Sequence, residues 1–347
     1  MATIAIVTSA PPLTEGGHLV HARALERALL EAGHRAGIVT TPSNGVGRQA
    51  AAYLANWLTD VRFTGSGERI DQVITMRYPA YAVRHPRHVC WLIHTMREYY
   101  DLWDRFSASL TARGRVKELA RRAAIRRADT YCFRHHVTKL FTNSATVNAR
   151  LERWNHVSGE VLHPPPPPRA YVCDGYDGHL LFYSRLTPLK RADLLLRALA
   201  RHEAGEARCL IAGQGEEQAR LHALARELGL ERRVRFAGRL SEEALLTELG
   251  RCRAVVFVPF QEDYGFVTAE AFSAGKAVIT CTDSGGPLEL VRDRENGLVV
   301  APDPGALARA CAELTGDAAL AERLGRRGRE DVSVLSWTDV VRRLVIV

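Results

Sequence analysis

The chain has 347 residues, enough for about two domains with separate cores at roughly 100–200 residues each. With 46% hydrophobic and 25% charged residues, 27 Gly and 15 Pro, it is globular in composition, which excludes a disordered or collagen-like chain. The net charge of +8 rests almost wholly on Arg, since the only lysines are Lys117, Lys139, Lys190 and Lys276. An Arg-biased proteome with one anionic substrate site accounts for that charge, and a nucleic-acid or anionic-membrane partner is the alternative.

The first residues, 1–8, read as an apolar strand without a basic n-region or a small-residue cleavage site, so no signal peptide is expected. The longest apolar run, residues 254–260, is far short of the roughly 20 that a spanning helix needs. Seven scattered Cys, an odd count with no C-x-x-C pair, argue against a disulfide framework or zinc ribbon and fit a reducing cytoplasm. No metal is expected, because His18/His21 and His135/His136 lack accompanying ligands at a recognisable spacing.

Strand and helix patterns then alternate, predicting an α/β fold with mainly parallel sheets. Residues 4–7 form a short buried strand, and a Pro/Gly turn over 10–17 leads into an amphipathic helix over 17–31 that Gly33 closes. Strands follow at 35–40, 72–75, 88–93 and 139–142, with one short helix among the glycines of 43–67. Five prolines, Pro164 to Pro168, have no N–H donors and a fixed φ, so they read as a stiff spacer between two halves rather than as an SH3-type ligand. The second half carries strands at 179–183, 207–212, 234–237, 254–258 and 277–280, with helices at 192–200, 216–228, 241–249, 265–274 and 287–291. The expected domains are residues 1–163, a linker over 164–178, residues 179–335, and a C-terminal helix over 336–347 returning towards the first domain. Two Rossmann-like halves of similar size imply a cleft where a ligand meets the carboxyl ends of both sheets.

The densest chemistry is Phe260-Gln261-Glu262-Asp263-Tyr264-Gly265-Phe266-Val267-Thr268-Ala269-Glu270-Ala271-Phe272, which follows an apolar strand. Gly265 opens a helix whose amino end can meet an anion or a sugar hydroxyl, and Glu262 and Glu270 can each accept hydrogen bonds from vicinal hydroxyls. The alternative, Glu270 on a solvated face, sits poorly with Ala269, Ala271 and Phe272. In Tyr183-Ser184-Arg185-Leu186-Thr187-Pro188-Leu189-Lys190-Arg191, the cations Arg185 and Lys190 flank a loop and can converge on a pyrophosphate, although such pairs are more often merely solvated. Ile211-Ala212-Gly213-Gln214-Gly215-Glu216 is a strand–Gly–helix turn, and Gly16-Gly17 is a similar turn in the first half. In the first half, Arg97-Glu98-Tyr99-Tyr100-Asp101-Leu102-Trp103 offers aromatic faces for stacking on a sugar, or core aromatics. A basic helix with Arg113, Arg115, Lys117, Arg121, Arg122, Arg126 and Arg127 suits an anionic lipid surface, or is simply a solvated face.

Together these segments resemble the retaining nucleotide-sugar glycosyltransferases of family 4, which have the GT-B fold. The carrying residues are the E-x7-E pair Glu262 and Glu270, Ser184-Arg185-Leu186-x3-Lys190, Ala212-Gly213-Gln214-Gly215, and Phe236-Ala237-Gly238-Arg239-Leu240. Ser273-Ala274-Gly275-Lys276, Ser284-Gly285-Gly286 and Glu295-Asn296-Gly297-Leu298-Val299 complete the pattern. The resemblance is looser in the first half, where it rests on Gly16-Gly17, His94 and Asn143-Ser144.

The resemblance implies a metal-independent transferase moving a sugar from a nucleoside-diphosphate sugar to a small-molecule, glycan or lipid-linked acceptor in bacterial natural-product or cell-surface glycan synthesis. Arg185 and Lys190 would hold the departing diphosphate, Glu270 the ribose and Glu262 a hydroxyl of the transferred sugar. Gly265, Phe266 and Val267 would touch that sugar, Gly238, Arg239 and Leu240 would flank the base, and Gly213 and Gln214 would line the donor site. Gly17 would let the first helix approach the phosphates, and His94 would lie near the transferred sugar. Arg97, Tyr99, Tyr100 and Asn143 are the acceptor candidates. A cytoplasmic protein, peripheral at the inner membrane face, is expected, with no nucleic acid bound. A nucleotide-sugar epimerase of the same fold is the alternative, and a basic nucleic-acid binder a more distant one.

Overall fold

The computed structural model describes residues 1–11, 17–43 and 45–347. They divide into two compact units, Met1–Pro167 with Ser336–Val347, and Pro168–Leu335. The chain passes from one to the other inside the proline run.

The first unit contains β1 (Thr3–Ala10), α1 (Gly17–Glu31), β2 (Arg35–Pro42), α2 (Gln49–Leu58), β3 (Gln72–Thr75), β4 (His88–Leu92), α3 (Trp103–Ala108), α4 (Ala112–His135), β5 (Lys139–Thr142), α5 (Ala145–Asn155) and β6 (Glu160–Val161). Its six strands form a parallel sheet in the order β2-β1-β3-β4-β5-β6. Both faces are covered, and the strand period of two sorts the side chains between them. Ile4 and Ile6 enter one apolar cluster while Ala5 and Val7 enter another; Val89 and Trp91 likewise part from Cys90 and Leu92. Thr111 caps α4 and Ser144 caps α5, each side chain accepting a bond from a backbone N–H in the first turn.

The second unit contains β7 (Leu180–Tyr183), α6 (Ala192–Leu199), β8 (Cys209–Ala212), α7 (Gln218–Glu227), β9 (Val234–Gly238), α8 (Glu242–Arg251), β10 (Ala254–Val256), α9 (Phe266–Ser273), β11 (Val278–Cys281), β12 (Gly297–Val300), α10 (Pro304–Gly316) and α11 (Ala318–Ser333). The sheet is parallel, in the order β12-β11-β10-β7-β8-β9. Leu180 and Phe182 face one core, Leu181 and Tyr183 the other. Strand order reverses at β7, between β10 and β8, and such a reversal opens a crevice at the strands' carboxyl ends. The loops after β7 and β10, which carry the candidate residues, both leave the sheet there. The helix expected over 287–291 is instead a short 3-10 turn, Gly286–Glu289.

The last helix, α12 (Trp337–Leu344), belongs to the first unit. Val340, Val341 and Leu344 are buried beside Ile4, Ile6, Ile74 and Trp91, contributing about 1.5–3 kcal/mol each. Gln72 locks the end of α12, donating from Nε2 to the Leu344 carbonyl at 2.7 Å and accepting from the Ile346 N–H at 2.9 Å. The Trp337 indole donates to the Pro166 carbonyl at 3.1 Å.

Candidate donor site in the second unit

The loop after β7 is fixed by main-chain bonds to the loop after β8. The Ser184 N–H donates to the Ala212 carbonyl at 3.1 Å and the Leu186 N–H to the Gln214 carbonyl at 3.0 Å. This contact explains both glycines of Gly213-Gln214-Gly215. A Cβ on Gly213, whose φ is 138°, would overlap the Ser184 carbonyl oxygen, and one on Gly215 would overlap that of Leu186. Between these anchored residues Arg185 stands exposed; its carbonyl accepts from the Thr187 N–H at 3.0 Å, while its side chain has no hydrogen bond or ion pair to any of the described residues. Its guanidinium is available to an anion.

At the far end of the loop, Lys190 closes a 3-10 turn, Pro188–Lys190. Its Nζ lies 2.5 Å from Glu262 Oε2, and both side chains are less than a fifth exposed. The same ammonium is 5.4 Å from the Phe257 ring centroid. Arg191, in the left-handed region at φ 53°, points the other way. It donates to the Val258 carbonyl at 2.7 Å and the Pro259 carbonyl at 2.8 Å, and grips both Asp283 oxygens at 2.7 and 2.8 Å. Of the three cations on this loop, Arg191 ties loops together, Lys190 pairs with Glu262 and Arg185 is exposed.

The loop after β10 lies against the segment after β11. The Gln261 N–H donates to the Asp283 carbonyl at 2.9 Å, that of Glu262 to Ser284 at 2.8 Å, and that of Gly286 back to Glu262 at 2.9 Å. Gly285, at φ 74°, has no room for a Cβ, which would sit 2.6 Å from the Glu262 carbonyl oxygen. Gly265, at φ 83°, caps α9 directly above Phe257, where a Cβ would meet the ring at 2.6 Å. The Phe257 ring thus has both the Lys190 ammonium and the amino end of α9 near it. Phe266 and Val267 are half-buried in the first turn, and Tyr264 is buried with its ring edge-on to Phe266.

Glu270, one turn on, is buried among donors. Oε1 accepts from Arg169 Nη1 and, at 3.3 Å, from the Tyr171 hydroxyl; Oε2 lies 3.4 Å from the Tyr183 hydroxyl. Burial pushes its carboxyl above the usual range, opposed by the Arg169 charge and the tyrosine hydroxyls. Arg169 also pairs with Glu242 at 2.9 Å. At the end of β9, Gly238 has φ 64° with open space around it, Arg239 is exposed, and Leu240 packs against the core.

In the first unit, Gly17 opens α1, and Gly16 lies outside the described residues. His94, just beyond β4, is half-buried with Nδ1 2.8 Å from the Thr95 carbonyl oxygen. The acceptor candidates all have partners or are buried within the first unit. Tyr99 is fully buried, donating to Glu118 at 2.6 Å and accepting from Gln49 at 2.7 Å. Tyr100 is buried as well, its hydroxyl 2.6 Å from Asp129. Neither ring has an open face, because the segment after β4 folds under α4. Arg97 is engaged by Asp101 at 2.5 Å in a half-buried pair, and Asn143 is buried at the end of β5. On α4, Arg121 pairs with Glu118, and Arg122 and Arg126 bond the Tyr99 and Trp154 carbonyls, both at 2.9 Å; Arg113, Arg115, Lys117 and Arg127 are exposed.

Sequence reasoning missed Arg169, Tyr171 and the strap Arg191. Arg191 stood inside the motif, but nothing local distinguishes it from Lys190. It also missed Asp129, fully buried under the hydroxyls of Tyr53, Tyr81 and Tyr100. Desolvation raises that carboxyl to about 6 against the three hydrogen bonds. Among the described residues, no group of three or more His, Cys, Asp or Glu could hold a metal ion.

Residues 173–331 match the family model for glycosyl transferases, group 1. That segment is nearly the whole of the second unit. D-inositol 3-phosphate glycosyltransferase of Streptomyces avermitilis is 32% identical over 168 residues, covering 45% of this chain and 36% of that protein. An exopolysaccharide phosphotransferase of Streptomyces coelicolor is 33% identical over 175 residues, covering 46% of this chain and 18% of its own length. The chain thus spans about a third or less of these curated relatives. HepE of Anabaena, solved in complex with UDP and glucose, superposes with a TM-score of 0.70 at 16% identity over 98% of each chain. The fold is GT-B, with two Rossmann-like units.

Proposed function

We propose that this chain is a glycosyltransferase of family 4 that moves a sugar from a nucleoside-diphosphate sugar to an acceptor with retention of anomeric configuration. The observations that carry the reading are the Lys190–Glu262 pair and the Gly265-capped amino end of α9, with Phe257 near both Lys190 and Gly265, and Arg185 exposed on the same loop as Lys190. The group 1 match over this unit and the UDP bound by HepE support a nucleotide-sugar donor.

In this reading the chemistry is electrostatic. Negative charge grows on the departing diphosphate, and Lys190, Arg185 and the helix dipole meet it from fixed positions. Guanidinium and ammonium do different work here, the first a fork on two oxygens and the second a point charge. Glu262 holds Lys190 in place until a donor arrives, then accepts from a hydroxyl of the transferred sugar. Glu270 takes the ribose, Gly238, Arg239 and Leu240 flank the base, and Gly213 and Gln214 line the donor site. Acceptor recognition falls to the first unit.

Calorimetric melting with UDP, GDP, dTDP and ADP tests the reading. A nucleotide bound only by the native state at about 100 times its Kd adds about 2.7 kcal/mol of stability. One of the four is expected to raise the melting temperature, and none doing so at millimolar concentration overturns the proposal.

Membrane contact through α4 belongs to the same proposal. The acids of that helix, Glu118 and Asp129, are both buried, while Arg113, Arg115, Lys117 and Arg127 are exposed beside Val116 and Leu119. Alongside lies α2, which carries no charge and exposes Leu54 and Leu58, with Trp57 stacked on Tyr131 of α4. Cations beside exposed apolar side chains suit an anionic bilayer. Flotation with phosphatidylglycerol vesicles is expected at low salt and should weaken at moderate salt; no flotation at low salt refutes the contact.

A further inference from the structure

We infer that Arg169 and Tyr171, where the proline run enters the second unit, are positioning residues that hold Glu270 ionised and turned towards the donor. The inference rests on the reading of Glu270 as the ribose-binding carboxylate.

The geometry is asymmetric. Oε1 of Glu270 takes both the Arg169 guanidinium and the Tyr171 hydroxyl, whereas Oε2 has only the long 3.4 Å contact from Tyr183. One oxygen is occupied by the protein and the other keeps accepting capacity. A carboxylate oxygen accepts about two hydrogen bonds, so Oε1 is filled and a ligand hydroxyl is directed to Oε2. Arg169 is itself fixed from its other side by Glu242, 2.9 Å from Nε. Its backbone follows Pro168, and the Tyr171 N–H donates to the Arg169 carbonyl at 3.0 Å, which turns the two side chains onto one carboxylate.

Burial favours the protonated form of Glu270, and the groups around it decide how far. The groups facing it are Arg169 and Tyr171 from the segment after the prolines, Tyr183 from the end of β7, and Glu242 from the start of α8. Only Arg169 is cationic, and Glu242 works against ionisation. A buried carboxylate stripped of its cation neutralises rather than staying charged. A neutral Glu270 would be the weaker acceptor, since hydrogen bonds to an ionised group are about twice as strong. Loss of Arg169 therefore changes nucleotide affinity in a pH-dependent way, which a purely structural role would not do. The proton is released as pH rises, so affinity should recover towards alkaline pH.

The test is isothermal titration of the nucleoside diphosphate that stabilises the wild type, between pH 6 and 9, into wild type, Arg169→Met, Arg169→Lys, Tyr171→Phe and Glu270→Gln. Arg169→Met is expected to raise Kd about 10–100-fold near pH 6.5, equivalent to about 1.4–2.8 kcal/mol, with the gap narrowing towards pH 9. Arg169→Lys should stay within about fivefold with a nearly flat profile, and Tyr171→Phe should fall between. Should Arg169→Met prove too unstable to titrate, Arg169→Lys and Tyr171→Phe carry the test. Wild-type affinity in Arg169→Met, a loss independent of pH, or wild-type profiles in both fallback variants overturns the inference. If the wild type binds and Glu270→Gln alone weakens it, the positioning role fails and the donor reading stands. If no nucleotide binds the wild type, the donor reading itself fails.

Discussion

Replacing Lys190 with alanine separates ground-state binding from catalysis. In the free protein Lys190 is bonded to Glu262 at 2.5 Å, with the two side chains 17% and 18% exposed. The substitution leaves a largely buried carboxylate without its cation, costing about 1–3 kcal/mol of stability. The larger effect is on turnover. The leaving diphosphate gains charge in the transition state, and loss of one fixed donor to such a charge lowers kcat about 10²–10³-fold, or roughly 2.7–4 kcal/mol. Binding should suffer less, because the ground-state donor must break the Lys190–Glu262 pair to use the ammonium. The two effects partly cancel in KM. Steady-state kinetics with varied donor read this directly, with Lys190→Arg keeping the charge as a control. If kcat were unchanged and only KM rose, the ammonium would contribute uniform binding and the electrostatic mechanism would be wrong.

Two further outcomes follow from the packing. Gly213→Ala places a Cβ on the Ser184 carbonyl oxygen at a φ of 138°, so strain and overpacking should cost roughly 2–5 kcal/mol. In a unit of this size that is about 5–15 °C of melting temperature by calorimetry, whereas Gly316→Ala, with open space around it, should change stability by about 0.5 kcal/mol or less; equal effects would refute the close-approach argument. For Asp129, the folded carboxyl at about 6 lies above its ordinary 3.8, so the native state binds the extra proton between those values. Its contribution is then largest at low pH and is lost as pH rises through about 6, by about 3 kcal/mol in all. All five tryptophans, at 57, 91, 103, 154 and 337, lie in the first unit, so urea unfolding followed by tryptophan fluorescence reports on it. The stability of wild type relative to Asp129→Asn should rise as pH falls from 7.5 to 4.5, and a flat difference would contradict the assignment.

The glycines show how one residue type carries two meanings. In the sequence, Gly213-Gln214-Gly215 reads as a weak ligand-binding turn, and in the structure its glycines exist because two loops cross within backbone contact. Gly265 has both meanings at once, since it caps the candidate helix and has no room for a side chain above Phe257. The aromatic run Tyr99-Tyr100 shows the opposite outcome. Its residues suit a sugar, but two buried carboxylates, Glu118 and Asp129, take their hydroxyls.

Periodicity, capping and strand-end glycines are local, and they determined from sequence alone the α/β alternation, nearly all the strands of both sheets and the helix starts at Gly17 and Ser241. The motif residues Arg185, Lys190, Glu262 and Glu270 were legible for the same reason, each being tied to a strand end or a helix turn. Partners distant in sequence were not. Arg169 reaches Glu270 across 101 residues, Arg191 reaches Asp283 across 92, and Gln72 meets the end of α12 across 272. No pattern within a strand or helix encodes which side chain from another element will lie opposite. That is decided when the sheets pack, as desolvation makes each buried charge find its counter-charge or hydrogen-bond partner.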